Sequence, residues 1–356
     1  MLSVALDARS LQESPIGGVG RSTSAVVNAV RDDVELTLLT DSRRPPIDTD
    51  LPQTPLRAPL SRTKAAWLQL AVPGALRDFD GVFHCPWYGL PFRQPVPMVV
   101  TIHDLTFENG GRGFRSGQRV AYRVQARWAA RTAAHVLTGS EAVRRQLCAR
   151  YRIDPARVSV HPNALDADRV RRDPGRVAAL RRRLGLDGRY AVTVGGAARR
   201  RLDLALAAWP AVRAQAPDVT LVVLGPEAPD PLPAGVVAAG AVDDDDWAAA
   251  LAGASALVYP TEYEGFGYPA LEAMGAGTPV VCARVGALPE LVGSAACWFE
   301  THEPGAVADA TLRVLGDAEL AARLSAAGQA RAAASTSLEL MRERVLGAYE
   351  KAAVSR

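Results

Sequence analysis

Short apolar runs alternate along the chain with segments of helical periodicity. Each run has the length of a buried strand, and strands that alternate with helices are typical of parallel α/β sheets. A segment without periodicity separates the runs into two sets, so the pattern predicts two doubly wound α/β domains. The first set comprises residues 4–6, 36–39, 82–83, 98–102, 135–138 and 158–160, and the second comprises 190–194, 219–224, 236–238, 256–259, 280–282 and 296–299.

Turn-forming residues mark the boundary between the two domains. Residues 161–166 combine proline, asparagine and aspartate, and an arginine-rich segment follows them before the next apolar run. The sequence therefore predicts an N-terminal domain over 1–165, a linker near 164–185 and a C-terminal domain over 185–335. Beyond that domain the chain is rich in alanine, leucine, arginine and glutamate, which predicts a C-terminal helix in 336–356.

The composition fits a soluble two-domain protein. The chain has 356 residues, of which 48% are hydrophobic and 22% charged. Its net charge of +3 is too small for general neutralisation of nucleic-acid phosphates. Lys64 and Lys351 are the only lysines, so a phosphate site must use arginine or backbone amides. The four cysteines are widely spaced and no signal peptide or membrane span is evident, which predicts a cytoplasmic location.

A glycine-rich turn at residues 16–23 follows the first predicted strand and opens onto a helix. Glycines let a backbone approach a ligand, and free amides at a helix start favour phosphate, so Gly18, Val19 and Gly20 are candidate phosphate-binding residues. The alternative is a tight turn without a ligand. Asp41 follows the second predicted strand, where a dinucleotide-binding protein has its ribose-binding acid, so an NAD-binding oxidoreductase is the alternative class of protein. The third glycine of a dinucleotide fingerprint is missing, which argues against that class.

The most specific string occupies residues 260–281, where a predicted strand ends, a loop with two glycines follows and a helix begins. Glu264 then lies at the carboxyl edge of the sheet, where open α/β sheets bind ligands, and Glu272 lies on the first turns of the helix. Carboxylates accept hydrogen bonds from sugar hydroxyls, although both acids also suit a solvated helix start. The amides free to contact a polar ligand belong to Gly265, Phe266 and Gly267.

This string resembles the E-x7-E signature of the retaining glycosyltransferases of family 4. Further segments match that family in order, and they extend the resemblance from Asp7 to about Gly293. The resemblance implies a GT-B fold, in which two Rossmann-like domains face each other across a cleft and the C-terminal helix packs back on the N-terminal domain. The matching segments are 7–11 with 18–21, 100–105, 137–141 and 160–163.

The resemblance implies that the C-terminal domain binds a nucleotide sugar. Glu264 and the neighbouring amides would contact the sugar, and Glu272 would contact the ribose. The glycine loop of the N-terminal domain would close over the β-phosphate. The turn that ends at Asp243 would line the nucleobase pocket, although the acidic run that begins there also suits the N-terminal cap of a helix.

The chain departs from the family pattern after Gly195 and Gly196, where it is one residue shorter. Arg199 and Arg200 stand for the diphosphate-binding pair, and the register can slip to Arg200 and Arg201. Each charge-assisted bond to phosphate contributes about 1.5 to 3 kcal/mol, so such a pair can supply much of the donor affinity. A solvated basic helix start is the alternative, and it is unfavourable because cations destabilise a helix N-terminus.

His103 follows a buried apolar run at a predicted strand end. The resemblance implies that it contacts the transferred sugar near the reacting carbon or the acceptor hydroxyl, so it joins Arg199, Arg200 and Glu264 as a candidate catalytic residue. A purely structural histidine is the alternative. The candidates for acceptor contact are His84, Trp87, Tyr88 and Asp104, whose aromatic members either stack on a sugar or pack the loop.

Arginine recurs at every fourth position from Arg115 to Arg131. On a helix this spacing forms a slowly drifting basic stripe. Such a stripe is most often a solvated face with salt bridges, which is the interpretation we favour from the sequence. The alternative is peripheral docking on the inner, anionic face of a membrane.

The sequence as a whole predicts a metal-independent, retaining hexosyltransferase. The Asp-x-Asp pairs at 48–50 and 166–168 lie in a proline-rich loop and in the linker, so neither predicts a metal site, and no separate cofactor is expected. Guanidinium groups and amides would stabilise the departing diphosphate instead. The His-Asp-Leu string at 103–105 looks most like members that use GDP-mannose on bacterial surface glycans. UDP-sugars are the alternative donors, the acceptor is a glycan, glycolipid or small molecule, and a non-catalytic glycan-binding protein is the other class.

Overall fold

The computed structural model describes residues 1–13, 16–58, 63–108, 113–165, 170–226, 228–335 and 337–355. The chain divides into two compact units, each built around one parallel sheet flanked by helices. This arrangement confirms the predicted α/β fold class with two Rossmann-like domains. The first unit comprises 1–110, 114–164 and 337–356, and the second comprises 111–113 and 165–336.

The sheet of the first unit has seven strands: β1 (Leu2–Asp7), β2 (Val34–Asp41), β3 (Gln53–Leu56), β4 (Val82–Cys85), β5 (Met98–Thr101), β6 (His135–Thr138) and β7 (Val158–Val160). They lie in the order β3-β2-β1-β4-β5-β6-β7. The order reverses between β1 and β4, and such a switch point opens a crevice at the carboxyl edge of a parallel sheet. β3 contains Pro55, which an edge strand tolerates because its outer amides need no ladder partner.

Helices cover both faces of this sheet. α1 (Gly18–Val30) packs Val26 and Val30 against β1 and β2, and a short α–π–α segment packs Trp67 on the other face. That segment consists of α2 (Lys64–Ala66), a π-helical turn (Trp67–Ala71) and α3 (Val72–Ala75). Two longer helices follow before residue 165, α4 (Ser116–Thr132) and α5 (Glu141–Tyr151). Short 3-10 turns lie at Arg9–Gln12 and Pro155–Arg157.

The sheet of the second unit has six strands: β8 (Arg189–Val194), β9 (Val219–Leu224), β10 (Val236–Gly240), β11 (Ala256–Tyr259), β12 (Val280–Ala283) and β13 (Ala296–Phe299). Their order is β10-β9-β8-β11-β12-β13, so the switch point lies between β8 and β11. The helices are α6 (Pro174–Leu184), α7 (Leu202–Gln215), α8 (Asp244–Ala252), α9 (Tyr268–Gly275), α10 (Leu288–Val292), α11 (Pro304–Gly316) and α12 (Ala318–Ser335).

The second unit begins earlier than the sequence predicts. Much of the expected linker forms α6, whose N-terminus is capped by the Asp173 carboxylate and which buries Leu180 beside Tyr190. The arginines of α6 face outward, and Arg183 pairs with Asp246 of α8 at 2.6 Å. Because those charges dominate the segment, its narrow apolar face gives little periodic signal.

The last helix, α13 (Leu338–Ala353), belongs to the first unit. It buries Met341 and Val345 in the same apolar cluster as β1, β2 and α1. The Tyr349 hydroxyl lies 2.8 Å from Nδ1 of His84 on β4, and the Arg342 guanidinium pairs with Asp33. Apolar burial and two polar contacts therefore fix the C-terminal helix on this unit.

Candidate active site

The switch point of the second unit brings together two loops that the sequence singles out. β8 ends at Val194 and runs into Gly195 and Gly196, and β11 ends at Tyr259 and runs into the loop that carries Glu264. β8 and β11 pair in parallel, so both loops leave the same edge of the sheet. The structure thus brings the arginine segment and the glutamate loop together.

A 3-10 turn, Ala198–Arg200, presents the arginines. The carbonyl oxygen of Arg199 accepts hydrogen bonds from the Glu262 amide at 2.8 Å and from the Thr261 hydroxyl at 3.1 Å. Nη1 of Arg200 donates to the Gly195 carbonyl at 2.7 Å. Both residues are therefore fixed by the loops at this edge while their side chains remain partly exposed.

Arg201 differs from the two arginines before it. Its φ of 53° places it in the left-handed region at the start of α7. Its guanidinium pairs with Asp203 at 2.9 Å and with Glu262 at 2.7 Å. These two carboxylates engage the Arg201 guanidinium, whereas the guanidinium of Arg199 lies near Glu264 and that of Arg200 is held by the Gly195 carbonyl.

Glu264 is the buried acid of the site, with 5% of its surface exposed. Its Oε1 accepts a short hydrogen bond from the Tyr259 hydroxyl and lies 3.7 Å from Nε of Arg199. Burial and the nearby charge of Glu264 hold the pKa of Tyr259 well above its usual value, so the hydroxyl stays protonated and donates. Among the residues that the structure describes, Oε2 of Glu264 has no hydrogen-bond partner, so it can accept one from a ligand hydroxyl.

Gly286 positions the backbone of Glu264. The Ala287 amide donates to the Glu264 carbonyl at 2.9 Å, and a Cβ added at Gly286 would lie 2.1 Å from that oxygen. Gly286 also has a φ of 54°, which side chains rarely adopt. The sequence analysis missed this glycine because its partner lies in a different loop.

Other predicted donor-binding residues have varied surroundings. Gly265 is buried and Phe266 partly exposed, while Gly267 adopts a φ of 109° immediately before α9. Glu272 lies within α9 and is only 1% exposed, so the described geometry does not present it to solvent. The Asp243 carboxylate caps α8 by accepting from the Asp246 amide at 2.8 Å, which accounts for this side chain without a ligand.

In the first unit the predicted glycine loop is the first turn of a helix. Gly18, Val19 and Gly20 all lie in α1, whose N-cap residue Gly17 provides no side-chain cap. A Cβ at Gly20 would lie 2.6 Å from the Ser10 carbonyl oxygen, so this glycine permits a close approach of two backbones. An uncapped helix N-terminus without acids in its first turn is suited to an anion.

Asp41 does not serve the role that an NAD-binding protein would give it. Its two carboxylate oxygens accept from Nε and Nη2 of Arg43, at 2.9 and 3.0 Å. This pairing lowers the pKa of Asp41 through the Arg43 hydrogen bonds. The carboxylate that would bind a ribose is thus engaged within the protein, which counts against the oxidoreductase interpretation.

His103 follows β5 and is partly exposed. Its Nε2 lies 3.0 Å from the carbonyl oxygen of Pro86, which can only accept, so Nε2 carries the proton and Nδ1 is left as an acceptor. Burial lowers the pKa of His103 below its usual value, which favours the neutral ring at neutral pH. A neutral Nδ1 can accept a hydrogen bond from a hydroxyl group.

His84 corrects one prediction for the acceptor site. It lies within β4, is fully buried, and has both ring nitrogens engaged, by the Tyr349 hydroxyl and the Thr101 hydroxyl, each at 2.8 Å. Burial lowers its pKa to about 3. His84 is therefore a neutral structural link between the sheet and α13, and it does not face an acceptor.

The other acceptor candidates line an aromatic cluster. Tyr88 packs edge-on against Phe107, 5.4 Å between ring centroids, and its hydroxyl donates to Asp104 at 3.3 Å. Trp87 packs against Tyr122 and also lines a small cavity with Asp7 and Arg9. Trp87, Tyr88 and Asp104 are all partly exposed, and the two aromatic rings also pack against each other and against Tyr122.

The sequence analysis missed the buried pair Asp7–Arg9. Arg9 binds Asp7 at 2.6 Å and stacks over the Trp67 ring at 3.7 Å. Both residues of the pair line the small cavity beside Trp87. In the sequence, residues 7–11 were notable only as one of the segments that match the family, and nothing there indicated that Asp7 and Arg9 form a buried ion pair.

Two absences concern the described part of the chain alone. Within it, no three histidine, cysteine or acidic side chains gather closely enough to hold a metal ion, and residues 166–168 lie outside it. None of its helices is at once long enough and apolar enough to cross a membrane.

Comparison with known families gives two matches along the chain. Residues 16–169 match the model of Glycosyltransferase Family 4, and residues 188–317 match the model of Glycosyl transferases group 1. The first match covers α1 through β7, which is most of the first unit before residue 165. The second covers the loops that carry the arginine pair and both glutamates.

Curated relatives match over shorter segments. The O-antigen chain mannosyltransferase B of Escherichia coli is 45% identical over 78 residues, which are 22% of this chain and 20% of that protein. A D-inositol 3-phosphate glycosyltransferase of Segniliparus rotundus is 33% identical over 199 residues, which are 51% of this chain and 42% of that protein. The matched segments thus span less than half the length of these relatives.

Solved structures match over almost the whole chain. Sucrose-phosphate synthase from Thermosynechococcus elongatus has a TM-score of 0.77 at 19% identity and full coverage of both chains. Anabaena HepE in complex with UDP and glucose has a TM-score of 0.74 at 17% identity, covering 98% of this chain and 99% of that one. WaaG, a glycosyltransferase involved in lipopolysaccharide biosynthesis, has a TM-score of 0.74 at 17% identity, covering 97% and 99%. At these identities the likeness shows the fold.

Proposed function

Because the chain belongs to glycosyltransferase family 4, we propose that it transfers a hexose from a nucleotide sugar to a hydroxyl acceptor and retains the anomeric configuration. The second unit binds the donor and the first unit binds the acceptor. One observation carries this proposal. Arg199 and Arg200 lie at the same sheet edge as the buried Glu264, whose Oε2 is open to a ligand hydroxyl.

The arginine pair suits a diphosphate. Arg201 is engaged by Asp203 and Glu262, which supports Arg199 and Arg200 over the slipped register as the diphosphate ligands. Guanidinium groups match phosphate oxygens in both charge and geometry. Both side chains are partly exposed and can reach a ligand, and the contact of Arg200 with the Gly195 carbonyl holds one of the two guanidinium groups before a diphosphate binds.

Glu264 suits the sugar. One of its oxygens is held by the Tyr259 hydroxyl and the other can accept from a sugar hydroxyl. The segment from Gly265 to Gly267 continues the loop that carries Glu264. Within the first unit, the uncapped start of α1 is separately suited to an anion.

The same groups support a metal-independent mechanism with substitution on one face of the sugar. The bond between the sugar C1 and the β-phosphate oxygen breaks, and the acceptor oxygen bonds to C1 on the same face. The acceptor proton passes to the departing phosphate oxygen. Arg199 and Arg200 stabilise the charge that develops on the diphosphate, and His103 orients a hydroxyl through Nδ1.

GDP-mannose is the donor that we propose first. The His-Asp-Leu string at 103–105 and the similarity to a mannosyltransferase support it. A UDP-sugar is the alternative donor, and the likeness to HepE in complex with UDP and glucose favours it. The acceptor class that we propose is a glycan, a glycolipid or a small molecule, and the protein acts in the cytoplasm.

Calorimetric titration tests the donor site with GDP, UDP, their sugars and NAD. We expect Arg199→Ala/Arg200→Ala to weaken nucleoside diphosphate binding by at least about 100-fold, since each charge-assisted bond contributes roughly 1.5 to 3 kcal/mol. Nucleoside binding should stay unchanged. Arg182→Gln, an exposed arginine on α6, is the matched control. Undiminished diphosphate affinity in the double variant would contradict the assignment of Arg199 and Arg200 as diphosphate ligands. Binding of NAD, without binding of any of the other nucleotides, would favour an NAD-binding oxidoreductase.

A further inference from the structure

Four large apolar side chains of the first unit are unusually exposed. They belong to three segments that are distant in sequence, and together we name them the outer patch: Leu70 (52% exposed), Phe92 (67%), Val120 (58%) and Val124 (60%). They make up four of the nine large apolar residues exposed among the described residues, and most of the others lie near the chain ends. An exposed apolar patch of this kind marks an interaction surface.

Contacts between the segments hold the outer patch together. The Phe92 ring packs on the Trp128 ring with centroids 5.2 Å apart. Trp128 lies one helical turn from Val124, which lies one turn from Val120. The Phe92 amide donates to the Gln69 side chain at 2.9 Å, next to Leu70. These contacts connect α4 with the loop of Phe92 and with the π-helical turn that carries Leu70.

The segments that build this surface carry basic side chains. Residues 64–77, 86–103 and 113–140 contain eight lysines and arginines and no aspartate or glutamate. The whole chain, in contrast, is nearly neutral, with a net charge of +3. The segments that carry the outer patch are therefore basic, with acids at their borders at Asp78, Asp104, Glu108 and Glu141, of which Glu108 pairs with Arg123.

The arginines of α4 divide into two groups. Arg119 donates to the Phe107 carbonyl at 2.9 Å and Arg123 pairs with Glu108 at 3.1 Å, so both face the protein. Spacing of four residues advances about 40° per step on a helix, so the stripe winds around its axis. Arg127 reaches the outer face beside Val124, where it has no ion pair within the described part of the chain. Arg131, at the end of the stripe, donates to the Tyr151 carbonyl at 3.1 Å, so the contacts within the protein account for Arg119, Arg123 and Arg131 and not for Arg127.

We infer that the outer patch docks the protein on an anionic lipid bilayer. Apolar side chains on a helix and a neighbouring loop can enter the boundary between headgroups and acyl chains, and arginines beside them reach lipid phosphates. Arg93, next to Phe92, and Arg127 are both exposed, so their guanidinium groups can reach lipid phosphates. A second copy of the chain fits poorly because two patches of equal charge repel, and nucleic acid gains little from exposed Phe92 and Val124.

Sedimentation with vesicles tests this inference on the full chain without donor or acceptor. We expect binding to vesicles of equal parts phosphatidylcholine and phosphatidylglycerol, weak binding to pure phosphatidylcholine, and a steep loss of binding as salt rises. Each arginine near an anionic surface contributes about fivefold to the partition coefficient. Arg93→Gln/Arg127→Gln should therefore reduce binding roughly 25-fold.

Apolar variants separate docking from simple charge attraction. Phe92→Ser/Val124→Ser should reduce binding at least tenfold while the circular dichroism spectrum stays that of the wild type, because both side chains are exposed. Val354→Ser and Arg182→Gln, equally exposed residues outside the patch, should change nothing. Absence of binding to anionic vesicles at low salt would overturn the inference. Binding that survives both double variants, or binding that is equally tight on neutral vesicles, would overturn it as well.

Discussion

Tyr259 and Glu264 show how a single hydrogen bond defines the candidate donor site. The carboxylate is buried, and burial without a partner would cost several kcal/mol. The Tyr259 hydroxyl and the Arg199 guanidinium both contact Oε1, so neither of them occupies Oε2. The orientation of Glu264 thus depends on a residue that does not itself contact a ligand.

Tyr259→Phe should therefore lower transfer more than it lowers nucleotide binding. Without the hydroxyl, Glu264 loses one hydrogen bond and can rotate, at a cost of about 1 kcal/mol or somewhat more. We expect kcat/KM to fall about tenfold and the Kd for the nucleoside diphosphate to stay within twofold. Tyr190→Phe, which removes another buried hydroxyl of the same unit, is the control. Equal losses in both variants would refute a specific role for Tyr259.

Sequence reasoning reached Glu264 and the arginine pair because each lies directly after a strand, and parallel strands end at one edge. It could not reach Tyr259, because nothing in a buried strand residue signals that its hydroxyl donates to an acid in the following loop. It placed His84 in a loop, whereas His84 lies in β4. The short string at 84–88 does not show where the strand ends and the loop begins.

At the scale of elements, the loop that carries Glu264 depends on the turn between β12 and α10. Gly286 lies against the Glu264 carbonyl, and the Ala287 amide donates to the same oxygen. The conformation of the loop that carries Glu264 therefore depends on this turn.

Gly286→Ala should destabilise this turn. The added Cβ would lie 2.1 Å from the Glu264 oxygen at a φ of 54°, and such strain costs about 1 to 3 kcal/mol. We expect a lower melting temperature and weaker donor binding. Gly305→Ala, at an exposed position of α11 with nothing within 4 Å of the added Cβ, should leave both unchanged or stabilise slightly. If both alanines behave alike, the turn does not support the loop.

The strands and most helices were predictable because apolar runs and helical periodicity are local signals. α6 was not, since its outward arginines mask a face that buries little besides Leu180. β3 was not, because proline-rich sequence excludes a central strand and yet permits an edge strand.

At the scale of the molecule, three histidines are buried in the first unit. Burial lowers the pKa of His84 to about 3, and of His135 and His161 to about 4. In the unfolded chain each would titrate near 6.5. The unfolded state therefore binds more protons than the folded state between pH 6.5 and about 4.

Stability of the first unit should fall as pH falls through this window. Each histidine contributes up to about 1.4 kcal/mol per pH unit to the free energy of unfolding, fully present above pH 6.5 and lost progressively below it. Denaturant titration at pH 7.5, 6 and 5 measures the slope. His135→Gln should reduce it by about a third. A free energy of unfolding that is constant from pH 7.5 to 5 would contradict the burial of neutral histidines.

The central claim is that this chain transfers a hexose through Arg199, Arg200 and Glu264, and the release of nucleoside diphosphate tests it most directly. GDP-mannose and a panel of UDP-sugars are mixed with the protein, a chelator and a panel of hydroxyl acceptors. We predict acceptor-dependent release of the diphosphate from one donor, a product with the donor's anomeric configuration, and a rate at least 100-fold lower in Glu264→Gln while Arg182→Gln is unaffected. Folded wild-type protein that releases no diphosphate from any of these donors, or a product of inverted configuration, would contradict the account.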